Sequence, residues 1–342
     1  MDKKKVISNI VSKTILFIGI MIFVLIFKTL FGDENVIVGV TTIIALLMLL
    51  GKNLTKNPIK NLAILILLNL ALGFGSYIAA NNIWIGVVID FAALSLLGYY
   101  FTFAMSKGLA LPYGLQYLLM LNSPVYGDVF VKRIYALIVG AVVIMISQFI
   151  VNAKNKNTFD KKSAIIESST QEDDRYYKNV NMFSKTFRVH TVRASYAIRV
   201  GLLTAITSFI AQYFHLAEGR WMVYTIFSVT EFYSENFKIK AWKRLQGTII
   251  GAIILVVLFM FIKSPTLRGV MILVVGYLNS FAEDYRDLTV LVTIGAIAPL
   301  ALTNGSVYAA LERVIYVIIG IVLASIANTF ILKKSEKDTS TT

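Results

Sequence analysis

Apolar runs follow one another along almost the whole chain, broken by short polar stretches that carry lysine and arginine. A membrane-crossing helix needs about 20 apolar residues, with a range of about 17–25. Candidates lie at 14–31, 35–50, 61–80, 83–101, 108–122 and 131–151, and again at 197–216, 221–236, 245–262, 268–282, 288–303 and 311–332. Several are short, and 108–122 can also be read as a loop outside the membrane. The chain is 57% hydrophobic and 15% charged, against about 45–50% apolar and about 25% charged in soluble domains. A water-surrounded core cannot absorb that excess, so lipid must surround much of the surface. The expectation is an all-α polytopic membrane protein.

Two of these runs are near copies. Arg133-Ile-Tyr-Ala-Leu-Ile-Val-Gly140 opens the sixth, and Arg313-Val-Ile-Tyr-Val-Ile-Ile-Gly320 opens the twelfth. Ser147-Gln148 then falls opposite Ala327-Asn328, and both runs end in lysines. Duplication of a membrane domain most often belongs to transporters. The reading is a first repeat over 1–151, a polar cytoplasmic linker over 152–196, a second repeat over 197–332 and a cytoplasmic tail over 333–342. Within the linker, Met182, Phe183, Phe187, Val192 and Tyr196 have helical spacing with basic residues between. That predicts a basic amphipathic helix over Asn181–Ile198, lying on the inner membrane face.

Orientation follows from the cations. With twelve spans and the N-terminus inside, 26 of the 33 Lys and Arg fall on the cytoplasmic side, leaving Lys28, Lys132, Arg133, Arg220, Lys263, Arg268 and Arg313 outside. Both termini are then cytoplasmic. Six spans per repeat is an even number, so about 12 transmembrane helices form two six-helix repeats that run parallel, not inverted. The same distribution argues against nucleic acid as the partner of the +14 charge. The run 15–31 after Lys3–Lys5 is too long for a typical signal-peptide core and reads as a retained span. No cysteine is present, and His190 and His215 lie in or beside polar segments. Neither a metal nor another cofactor is expected.

In Lys243-Arg244-Leu-Gln-Gly247-Thr248-Ile-Ile-Gly251, the two glycines share one helix face, where small residues let a neighbouring backbone approach. Gly140 and Gly320 of the repeated motif read the same way. Such a face packs within one chain or between protomers, so a homo-oligomer is possible. Arg244 is either a headgroup anchor or an anion ligand at the cytoplasmic mouth.

Three further stretches join this motif: Ile198-Arg-Val-Gly-Leu-Leu-Thr-Ala-Ile206, Phe214-His-Leu-Ala-Glu-Gly-Arg220-Trp221-Met-Val-Tyr224 and Phe237-Lys-Ile-Lys-Ala-Trp242-Lys-Arg244. A basic helix start, a turn ending in Gly-x-Trp, and Arg-x-x-Gly-Thr-x-x-Gly together resemble the fusaric acid resistance family. That family includes aromatic acid exporters of bacterial inner membranes and is distantly related to plant malate-type anion channels. The resemblance spans about 195–262 most clearly and extends to 332. It implies a multi-pass plasma-membrane protein that exports aromatic carboxylic acids using the proton gradient. Many members carry a large soluble segment between their membrane halves, which is reduced here to about 45 residues.

The remaining candidates come from the residues themselves. Pro112, near Gln116, and Pro299 interrupt the fifth span of each half, and matching breaks of this kind point to a transport site. A packed kink without a ligand is the alternative. Asp90 is an acid well inside a span, where it must face a cavity or a partner, and it is the candidate for proton coupling. The other reading pairs it with Asn69 or Gln116. Arg133 and Arg313 can each hold a carboxylate through two parallel hydrogen bonds, unless Asp128 and Glu312 neutralise them. Trp221 is an interfacial anchor or a surface for an aromatic substrate.

The function expected is a secondary transporter of small (aromatic) organic acids, with a passive anion channel or a non-transporting scaffold subunit as alternatives. A membrane enzyme would need clustered His, Asp or Glu at a membrane face, and a pump would need a Gly-x4-Gly-Lys-Ser/Thr loop. Neither stands in the sequence.

Overall fold

The computed structural model describes residues 3–50, 53–102, 107–154, 176–182 and 185–330. Twelve α-helices occur among them, one for each expected apolar run: α1 (Lys3–Phe31), α2 (Val36–Leu49), α3 (Pro58–Asn81), α4 (Ile83–Tyr100), α5 (Ala110–Leu121), α6 (Gly127–Lys154), α7 (Thr191–Tyr213), α8 (Arg220–Val229), α9 (Ser234–Phe261), α10 (Pro265–Asn279), α11 (Tyr285–Asn304) and α12 (Ser306–Phe330). Seven are long and apolar enough to cross a bilayer: α1, α3, α4, α6, α7, α9 and α12. The 14 residues of α2 and 10 of α8 rise only about 21 and 15 Å, short of a hydrocarbon core of about 30 Å. The chain is therefore a multi-pass helical membrane protein. Ile15, Leu25, Val88, Ile253, Met260 and Val322 are exposed on its long helices, an arrangement that suits lipid.

Helix ends follow local chemistry. Pro58 and Pro265 stand in the first turns of α3 and α10, where a missing N–H removes no intrahelical bond. Asn82 is the single residue between α3 and α4, and its Oδ1 accepts from Trp84 N and Ile85 N at 3.1 Å each. Gly127 (φ +56) opens α6 and Gly305 (φ +85) stands just before α12. Both repeated arginine helices are thus entered through a left-handed residue that a side chain would strain.

The segment after α6 departs from expectation. Tyr177–Met182 (β1) and Lys185–His190 (β2) form an antiparallel hairpin, with Tyr177 opposite His190 and Val180 opposite Phe187. The predicted amphipathic helix over Asn181–Ile198 is therefore replaced by strand up to His190, and α7 begins at Thr191. Of the residues whose spacing suggested a helix, Met182 and Phe187 stand in the strands, while Val192 and Tyr196 do lie in α7. The Thr191 hydroxyl donates to Tyr176 O at 3.1 Å and closes the hairpin against the helix start. Phe183 lies outside the described residues, as do most of 152–176.

Two compact units emerge from packing. Among the described residues, one runs from Phe23 to Tyr213, and the other joins those up to Ile22 with those from Phe214 to Phe330. Packing thus divides the chain after Tyr213, whereas the sequence repeat divides it in the linker. In the first unit α2 packs on α6, and α3 on both α5 and α6. In the second α8 packs on α12, and α9 on both α11 and α12. These are the same three pairings, counted from the start of each half.

The first helix of each half is exchanged. In the first unit α7 packs on α4, where Ser95 Oγ donates to Ala197 O at 3.2 Å. A Cβ on Gly201 would stand 2.1 Å from Ser95 Oγ, so only glycine permits that approach. In the second unit, the early part of α1 meets α10. Thr14 Oγ1 lies 2.8 Å from the Tyr277 hydroxyl, and the Phe17 ring sits edge-on to Tyr277 at 5.4 Å. The second unit's apolar core gathers Leu255, Phe259, Ile294, Ile297 and Ala298.

Candidate functional site

The repeated motif builds one local contact twice. A Cβ on Gly140 would meet Thr42 Oγ1 of α2 at 2.6 Å, and one on Gly320 would meet Thr225 Cβ of α8 at 3.1 Å. In each half the glycine lets the arginine helix close on the second helix. Gly247 and Gly251 serve α9 in the same way against α11. Their added Cβ atoms would fall 2.7 Å from Arg286 O and 2.6 Å from Val290 O. Thr248, between them, is buried and donates its hydroxyl to Arg244 O at 2.8 Å. The glycine face is therefore used within the chain.

These close approaches set Arg313 deep in the second unit. It is 1% exposed, and its Nε and Nη1 have no hydrogen-bond partner among the described residues. Its Cζ lies 3.7 Å from the centroid of the Trp221 ring. The indole face attracts a cation, by about 2 kcal/mol when water is excluded, but it cannot satisfy N–H donors. Glu312, next in sequence, faces Tyr308 instead, so the neighbour expected to neutralise Arg313 does not.

Arg244 lies close enough for its charge to act on Arg313. It is 8% exposed, buried in protein and not spread among headgroups, and its Nε also has no partner. Arg220 also approaches Trp221, with its Cζ 5.4 Å from the ring centroid. Glu218 clasps Arg220 in a fork, receiving Nε at 3.1 Å and Nη2 at 2.8 Å. Tyr224, one turn along α8, is edge-on to Trp221 at 5.7 Å. The arrangement offers unused guanidinium donors beside aromatic faces. An unpaired buried charge is costly, and a carboxylate offered to Arg313 would relieve that cost and screen its repulsion with Arg244.

Arg133 is the contrasting copy. It is as buried as Arg313, but every nitrogen donates: Nε to Asn35 Oδ1 at 2.8 Å, Nη1 to Ser123 O at 2.8 Å and Nη2 to Glu34 O at 2.9 Å. It ties the start of α2 and the α5–α6 connection to α6. Asp128 takes no part in this, and none of the three nitrogens is left without a partner.

Asp90 lies in the first unit, 1% exposed on α4. The Tyr117 hydroxyl of α5 donates to its Oδ1, and Ser208 of α7 lies beside it. The alternative partners are engaged elsewhere: Gln116 Nε2 donates to Asn69 Oδ1 at 3.2 Å, and Asn69 Nδ2 donates to Leu137 O at 3.0 Å. Pro112 occupies the first turn of α5, so it breaks no helical hydrogen bond there. Pro299 is inside α11 and is exposed. The two prolines are therefore not equivalent, and the matched break expected of the two halves is absent.

Of the expected site residues, the fold brings Arg313, Arg244 and Trp221 together. Pro299 points outward, while Arg133, Asp90, Pro112 and Gln116 belong to the other unit. Glu218, Arg220 and Tyr224 join the arginine cluster without having been singled out. Their signal was present in Glu218-Gly-Arg220-Trp221-Met-Val-Tyr224, which combines an acid and a base two apart with two aromatics three apart.

Fold and site together define a polytopic membrane protein with a buried arginine whose Nε and Nη1 have no hydrogen-bond partner among the described residues. Residues 195–327, which span nearly all of α7 to α12 and include this cluster, match the model of the family described as fusaric acid resistance protein-like. Over those residues the chain is similar to that family, as the resemblance implied. No curated protein and no solved structure matches the chain.

Proposed function

We propose that the protein is a secondary transporter of small organic anions, with aromatic carboxylates as the favoured class and export driven by proton coupling. The observation that carries this reading is Arg313: a buried guanidinium with unpartnered donors, laid on Trp221 beside a second buried arginine. A carboxylate can take two parallel hydrogen bonds from such a fork. An aromatic ring attached to it finds the rims of Trp221 and Tyr224 within reach. Asp90, buried and held by Tyr117, is the group proposed to carry the proton.

The architecture proposed is two six-helix repeats entering a bacterial plasma membrane in the same direction, with both termini cytoplasmic. The repeated pairings α2–α6 with α8–α12, α3–α6 with α9–α12 and α3–α5 with α9–α11 support the duplication. So does the placement of Gly140 and Gly320 against threonines of the second helices. Alternate access would then come from movement of one repeat against the other around a fixed site. The role is transport, without enzymatic chemistry or a bound cofactor.

The test is uptake into proteoliposomes of a panel of aromatic and aliphatic carboxylates, with and without a pH gradient. Accumulation of an aromatic acid against its gradient, lost in Arg313→Gln and made insensitive to pH in Asp90→Asn, is the expected result. Currents that follow the anion gradient alone and ignore the pH gradient would identify a channel. Unchanged coupling in Asp90→Asn would remove that residue from the mechanism.

A further inference from the structure

We propose that Glu218 is the release residue of the Arg313 site, a built-in carboxylate that holds Arg220 while a guest anion sits on Arg313 and competes for Arg313 when the guest leaves. The inference rests on reading Arg313 as an anion site and adds how that site lets go.

The geometry is specific. Glu218 is 6% exposed, and both of its carboxylate oxygens are taken by Arg220, at 2.8 and 3.1 Å. Arg220 and Arg313 approach the same indole, at 5.4 and 3.7 Å from its centroid. The charge of Glu218 acts on Arg313 as well. The backbone of Glu218 is fixed to the same element, because Trp221 N donates to Glu218 O at 3.1 Å. A rotation of its side chain about that anchored backbone is the motion required to pass from one guanidinium towards the other.

The charge count gives the arrangement its sense. Glu218 pairs with Arg220 and its charge reaches Arg313, while Arg244 adds a further cation beside Arg313, so among these described residues positive charge is in excess and favours an anion. Two desolvated arginine forks on one guest would hold it long, because truncating or adding a buried charge partner acts mainly on dissociation. With Arg220 occupied, the guest meets one open fork. With Glu218 able to turn to Arg313, the guest has a tethered competitor at high effective concentration.

Two neutralising variants separate this role from that of a plain structural ion pair. Benzoate is the probe. Its binding is read by tryptophan fluorescence on the purified full chain in detergent, and its transport is read as efflux from proteoliposomes. Glu218→Gln frees Arg220 and removes the competitor, so Kd and KM should fall about tenfold while kcat also falls. Arg220→Gln frees Glu218 to pair with Arg313, so Kd should rise about tenfold. A structural pair would move both variants in the same direction, and that result overturns the proposal, as does an unchanged Kd in Glu218→Gln. If Arg313→Gln binds benzoate as the wild type does, or if neither binds it, the anion site itself is refuted and the role of Glu218 falls with it. If binding is lost in Arg313→Gln alone and the other two variants behave as wild type, the site stands and only the release role fails.

Discussion

Arg133 and Arg313 open the same motif, yet their surroundings are opposite. Each lies about two turns into its helix, each is buried, and each is followed seven residues later by a glycine that seats a threonine. The difference is in what surrounds the start of the second helix of each half. In the first, Glu34 and Asn35 present a carbonyl and an amide oxygen, and Ser123 adds another carbonyl, so each nitrogen of Arg133 has a partner. In the second, Gly219, Arg220 and Trp221 present an aromatic face and another cation, so Arg313 is left with unused donors. One copy is a structural tie, and the other keeps unpartnered donors. A shared motif places two arginines alike, and the residues around each divide their surroundings.

The sharpest way to break this contrast is to neutralise each arginine in turn. Arg313→Gln should lower kcat/KM for organic anion transport about 100-fold, in the range expected for truncating a buried charged contact, with the melting temperature unchanged or raised. Arg133→Gln should do the reverse. It strands three oxygens in the interior and should cost about 3 kcal/mol, seen as a lowered melting temperature in detergent, with KM preserved in the protein that remains folded. Equal losses of stability in both variants would end the distinction.

The glycines give a smaller effect. Gly251→Ala drives a methyl to within 2.6 Å of a backbone oxygen that cannot turn away, and should destabilise by about 1–3 kcal/mol. Gly320→Ala meets Met222 O at 3.0 Å and Thr225 Cβ at 3.1 Å, and should cost less than about 1 kcal/mol. Thermal unfolding of the two variants side by side checks the order.

The smallest effect is expected where Lys243 of α9 pairs with Asp284, the capping residue of α11. Lys243, with the Arg286 backbone N–H, holds the Asp284 carboxyl below its usual 3.8. A depressed carboxylate stabilises the fold above its unfolded value and loses that contribution as the pH falls through its folded value. Asp284→Asn should therefore lower the melting temperature slightly at pH 7. The gap to wild type should close as the solution is taken below pH 3.8.

Helix positions were legible because burial in lipid demands long, nearly uncharged runs, and all twelve expected runs are helical. The limits of the polar segment were not. Met182 and Phe187 have spacing that suits a helix, but strand pairing between 177–182 and 185–190 satisfies the same backbone. Such a ladder depends on partners that a local pattern does not reveal. Pro112 and Pro299 looked alike as residues in the fifth runs. Their difference is one of register, since α5 begins only two residues before Pro112 whereas α11 extends fourteen residues before Pro299.

By itself the sequence determined that this chain lives in a bilayer, that its halves share a motif, and that its few ionisable groups carry the interest, because charge in lipid is costly enough to leave a compositional mark. Tertiary structure alone decided which of the two matched arginines is satisfied and which is open. That outcome depends on oxygens and rings delivered from helices some 90 residues away in the chain, and hydrogen bonding acts over about 3 Å, a distance that sequence separation does not measure.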